Sequence, residues 1–126
     1  MLLIDTDILI WYMKGNEKAY QCVEDNKDFR ISVVTYIELV QGMRNKEELK
    51  SFREFLKIWS ARLLYINEEI SAKAMFYVER HYLSHSLQLA DALIAATSVS
   101  HGLALTTGND KHYKVIKEIQ IKKFRP

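Results

Sequence analysis

With 126 residues, 48% of them hydrophobic and 27% charged, the chain has the make-up of a soluble globular protein, and it is long enough to build one core without cross-links. A net charge of +2 provides no global attraction for nucleic acid, and a single cysteine, Cys22, excludes an internal disulfide framework and makes a reducing cytoplasm the expected home. The apolar run from Leu2 to Tyr12 is too short to span a bilayer, is broken by Asp5 and Asp7, and lacks the basic flank and cleavage site of a secretory leader, so no membrane association is expected.

Residues 1–126 read as one domain in which short strands alternate with helices. Leu2–Ile4 forms the first strand. Helices follow over residues 8–14, stopped by Gly15, and near 18–24. The second strand covers 29–34, and helices are expected at 36–43 and 47–59. The latter carries Leu49, Phe52, Phe55, Leu56 and Trp59 at helical spacing. A third strand at 63–66 precedes helices at 71–82 and 87–100, closed by Gly102. Residues 103–106 form the fourth strand, and 119–121 a short fifth. This alternation predicts a three-layer α/β/α sandwich with a central parallel sheet of four to five strands.

Three acids stand out against this frame. Asp5 ends the run Met1-Leu-Leu-Ile4, Glu38 lies within the apolar Val33–Val40 stretch, and Asp91 interrupts Leu87-Gln-Leu-Ala90 and Ala92-Leu-Ile-Ala-Ala96. None has a Lys or Arg three or four positions away, whereas Glu54 has Lys50 and Lys57. A lone carboxylate on a buried face is costly unless something compensates it. In a parallel sheet, ligands gather at the carboxyl ends of the strands, where the following helices begin. Asp5 falls at the end of the first strand, Glu38 in the first turn of the helix after the second, and Asp91 near the start of the helix before the fourth. Asn109 and Asp110 follow the fourth strand and reach the same rim.

Two carboxylates about 5 Å apart repel by about 3 kcal/mol at an effective dielectric near 20. Such a group raises its own pKa values or recruits a cation, and oxygen donors favour Mg²⁺ or Mn²⁺ over zinc. The chemistry that follows is phosphodiester hydrolysis. His81 and His85 have zinc-pair spacing without an obvious third ligand, and His112 lies near the rim. Cys22 reads as a small core residue, and Trp11, Tyr12 and Trp59 as core or dimer-contact aromatics. Gly15, Gly42, Gly102 and Gly108 stand alone, which argues against a phosphate-binding glycine loop. A basic group, Lys111, Lys114, Lys117, Lys122, Lys123 and Arg125, is positioned to meet phosphates or solvent.

The segments Leu3-Ile-Asp-Thr-Asp-Ile-Leu-Ile10, Ser32-Val-Val-Thr-Tyr-Ile-Glu-Leu39 with Gly42, Leu89-Ala-Asp-Ala-Leu-Ile-Ala-Ala-Thr97 and Leu105-Thr-Thr-Gly-Asn-Asp-Lys-His-Tyr113 resemble the PIN-domain ribonucleases, most closely the VapC-type toxins of toxin–antitoxin pairs. The resemblance implies a Mg²⁺- or Mn²⁺-dependent endoribonuclease acting on RNA, a homodimer, and inhibition by a cognate antitoxin. Carried over by position, Asp5, Glu38 and Asp91 match the three core acids, with Asp5 and Asp91 as metal ligands. The fourth position falls on Asn109, with Asp110 beside it. Thr6 and Thr107 match supporting hydroxyl positions, and Asp7 is expected to cap a helix. Two other readings compete: a binding module that holds nucleic acid or antitoxin without cutting, and a phosphotransferase with Asp5 as nucleophile.

Overall fold

The computed structural model describes residues Met1–Pro126. Five strands, β1 (Leu2–Ile4), β2 (Arg30–Ser32), β3 (Arg62–Leu64), β4 (Ala104–Thr107) and β5 (Ile121–Lys123), pair in the order β3-β2-β1-β4-β5, all parallel. Seven helices connect them: α1 (Thr6–Met13), α2 (Glu17–Asp25), α3 (Val33–Gln41), α4 (Lys46–Ile58), α5 (Glu68–His85), α6 (Leu89–His101) and α7 (Asp110–Tyr113). The expected α/β sandwich with its central parallel sheet is present. None of the helices is long and apolar enough to cross a membrane.

Local chemistry sets the boundaries. Asn16, Ser32, Asn45 and Asn67 each accept a backbone N–H of the helix they precede, so α2, α3, α4 and α5 all start on a side-chain cap. Ser32 accordingly ends β2 and sends Val33 and Val34 into α3, although their β-branched side chains suggested a strand through residue 34. The last strand lies two residues later than expected, with Ile121 beside Leu105 and Lys123 beside Thr107.

Alternate residues of the sheet feed two cores. On one face Leu3 and Leu105 pack with Ile70, Ala74 and Tyr77 of α5 and Ala92, Ile94 and Ala95 of α6. On the other, Ile4 and Ile31 pack with Ile8 and Leu9 of α1, Val23 of α2, Phe52 of α4 and Trp59. Trp59 is thus a core residue, while Trp11 is exposed. Cys22 lies half-buried against the second core. Between the two cores the register sets Leu2 beside Ala104, Leu3 beside Leu105 and Ile4 beside Thr106. The order of strands reverses at β1, with β2 to one side and β4 to the other, so the chain leaves the carboxyl end of β1 at the crevice of the sheet.

Candidate active site

Asp5 leaves β1 in extended conformation and becomes the N-cap of α1; its Oδ1 accepts the Thr6 N–H at 2.8 Å. Its other oxygen accepts the Thr107 hydroxyl from β4 at 2.7 Å, and Thr107 Oγ1 in turn accepts the Asn109 N–H at 2.9 Å. Only 4% of Asp5 is exposed. Burial, reinforced by the charge of Asp7, pushes its pKa up to about 6, against the opposing hydrogen bonds from Thr107 and Thr6. A carboxylate so confined, with both oxygens engaged, is poorly placed as a nucleophile, which weighs against the phosphotransferase reading.

Asp7 does not cap the helix as expected; Asp5 does. Asp7 lies in the first turn of α1 and reaches across to the loop after β4, where Oδ2 accepts the Gly108 N–H at 2.9 Å. Its Oδ1 is buried without a hydrogen-bond partner, and burial raises its pKa. A Cβ at position 108 would sit 2.8 Å from Asp7 Oδ2, so this close approach requires glycine.

Glu38 occupies the second turn of α3, one turn later than expected, and its residue is exposed rather than buried. It is nonetheless tied to the rim. Thr6 Oγ1 donates to Glu38 Oε1 at 2.8 Å and lies 2.9 Å from Thr35 Oγ1. Thr6 has one hydroxyl proton, so with that proton on the carboxylate the Thr35 hydroxyl completes the chain as donor.

Asp91 stands in the first turn of α6, whose N-cap, Gln88, makes no side-chain cap. Its side chain is about a quarter exposed; Oδ2 lies 3.9 Å from His112 Nδ1, and Oδ1 accepts the Tyr113 hydroxyl at 3.4 Å. Asn109 is exposed at the rim. Asp110 is buried and engaged by Arg125, whose Nη1 lies 2.8 Å from Oδ1. That hydrogen bond is the main cause holding the Asp110 carboxyl below the usual range. Of the five acidic or amide positions singled out from the sequence, only Asp5 is a buried carboxylate without a cationic partner.

No three His, Cys, Asp or Glu side chains form a ready-made metal cage. The donors that do meet are carboxylate and hydroxyl oxygens. Such a set fits a hard divalent ion that retains several waters and takes one or two carboxylates, and it does not fit zinc.

Residues 2–118 match the PIN domain. The chain belongs to the PIN-domain family. Ribonuclease VapC10 of Mycobacterium tuberculosis is 34% identical over 124 residues, which cover 95% of this chain and 91% of that protein. Ribonuclease VapC1 of Methanocaldococcus jannaschii is 29% identical over 125 residues, covering 96% and 85%. Among solved structures, a toxin–antitoxin complex from Klebsiella pneumoniae has a chain that is 28% identical, with a TM-score of 0.75 and coverage of 94% and 95%. VapBC2 from Rickettsia felis bound to a promoter DNA fragment reaches a TM-score of 0.80 at 19% identity, with 98% of each chain covered, and shows the shared fold.

Three features of this PIN domain escaped the sequence reading: the Tyr113 hydroxyl, the Asp7–Gly108 link and the Arg125–Asp110 pair. Position 113 carried a signal, since Lys-His-Tyr113 closes the fourth quoted segment. The other two join residues far apart in sequence, and no local pattern marks them.

Proposed function

We propose that this PIN domain, residues 1–126, is a Mg²⁺- or Mn²⁺-dependent endoribonuclease and the toxin of a toxin–antitoxin pair. The observation that carries the reading is Asp5: a buried carboxylate at the end of the central strand, held by two threonines, with Asp91 and Glu38 reaching the same rim from flanking helices. Asp5 and Asp91 would hold the ion. When bound, it supplies an acidified water and counter-charge for the phosphate oxygens.

The remaining work falls to the chain's own residues. Glu38, anchored by Thr6 and open to solvent, takes the proton of the attacking water at Oε. The water oxygen bonds to phosphorus, the P–O bond to the leaving nucleotide breaks, and the leaving oxygen is protonated from solvent. Thr107 keeps Asp5 oriented. We assign the fourth position to Asn109, exposed just after β4 with its backbone N–H on Thr107, and leave Asp110 to anchor Arg125. RNA is the proposed substrate, a cognate antitoxin and a second copy of the chain are the proposed partners, and the cytoplasm is the proposed location. The Klebsiella pneumoniae neighbour, itself a toxin–antitoxin complex, supports the antitoxin.

The deciding experiment is cleavage of labelled single-stranded RNA and a panel of tRNAs and rRNA by purified protein with Mg²⁺, Mn²⁺ or EDTA, beside Asp5→Asn. Metal-dependent cutting lost in the mutant is expected. A folded, antitoxin-free protein that binds RNA yet cuts no member of the panel would establish the binding module instead.

A further inference from the structure

Tyr113 is out of keeping with its surroundings. Its ring is 1% exposed and belongs to the core formed by Leu3, Ala92, Leu105 and Ile116, an environment that phenylalanine would fill equally well. What tyrosine adds is one hydroxyl, and a buried tyrosine hydroxyl needs a polar partner. Here the partner is a site acid: the hydroxyl donates to Asp91 Oδ1 over a long 3.4 Å.

Resting on the ribonuclease reading, we propose that Tyr113 is a positioning residue that uses its buried hydroxyl to hold the Asp91 carboxylate at the rim before the divalent ion arrives. Asp91 has need of it. No side-chain cap steadies the start of α6, and the other contact, His112, is 3.9 Å away on a side chain that is mostly exposed. A hydrogen bond that orients a metal-binding carboxylate typically contributes 10–100-fold to metal affinity.

The test is Mn²⁺ binding by the full chain, measured by electron paramagnetic resonance and calorimetry, for the parent and Tyr113→Phe. Thermal midpoints in EDTA are recorded beside it. We expect Tyr113→Phe to stay folded, to bind Mn²⁺ roughly tenfold more weakly, and to need correspondingly more Mg²⁺ for half-maximal cleavage with little change in rate at saturation. Equal or tighter Mn²⁺ binding by a folded Tyr113→Phe overturns the inference and leaves the ribonuclease reading intact. A variant that fails to fold makes the phenol a structural prop and also overturns it. A parent that binds no Mn²⁺ overturns both.

Discussion

The rim has a fixed half and a loose half. Asp5, Asp7, Thr107 and Gly108 are locked across β1 and β4 by hydrogen bonds of 2.7–2.9 Å, and Asp5 and Thr107 are buried. Glu38, Asp91 and Asn109 instead project from helices and a loop, exposed or partly exposed, each held by few contacts. The same residue type therefore carries different costs on the two sides. A carboxylate in the fixed half strains the fold when charged, because burial raises the pKa values of Asp5 and Asp7. Stability and catalysis should respond independently to substitutions in the two halves.

Glu38→Gln and Asp5→Asn test this most directly. Each should lower RNA cleavage by on the order of a hundredfold or more, the first by removing a proton acceptor and the second by removing an ion ligand. Their stabilities should part. Glu38→Gln should leave the urea midpoint within about 0.5 kcal/mol of the parent, whereas metal-free Asp5→Asn should gain about 1–3 kcal/mol at pH 8. Equal stability changes in the two variants would abolish the distinction between halves.

Acid–base behaviour gives the next largest effect. The Asp5 pKa is about 6 in the folded protein against an ordinary 3.8, so between these values the folded state binds more protons than the unfolded one. The stabilising contribution is present below pH 4 and is lost as pH rises through 6, on the order of 3 kcal/mol in all. Metal-free urea unfolding at pH 4.5, 6 and 7.5 should show this loss, and Asp5→Asn should reduce it to the part that Asp7 contributes. Thr107→Val then removes both a donor to Asp5 and the acceptor of the Asn109 N–H, for an expected cost of about 1–3 kcal/mol in the same assay. Smallest of all, Asn109→Asp adds a charge at an exposed rim position. It should change stability by about 0.5 kcal/mol or less, while calorimetry shows tighter Mn²⁺ binding.

Much of this is legible in the sequence, and each departure from it has its own physical cause. Asp5 could be placed because a charge ending an apolar strand has only one location in a parallel sheet. The nearly continuous apolar stretch Val33–Val40 predicts a buried Glu38. In fact α3 turns Thr35 and Leu39 inward and carries Glu38 out to solvent, which composition alone does not reveal. Helix α7 was missed because four residues give no periodicity, and with it went the orientation of Tyr113. Asp7 was taken for a cap because its true partner, the Gly108 N–H, lies 101 residues away.

That separation has a consequence during synthesis. The hydroxyl that holds Asp5 comes from Thr107, made 102 residues later, and β1 finds its neighbour β4 only then. At about 5–20 residues per second, roughly 5–20 s pass between the two. A growing chain therefore carries its central acid without the partner that orders it. If the protein cuts RNA, the ribosome that makes it holds an incomplete blade until Thr107 has emerged.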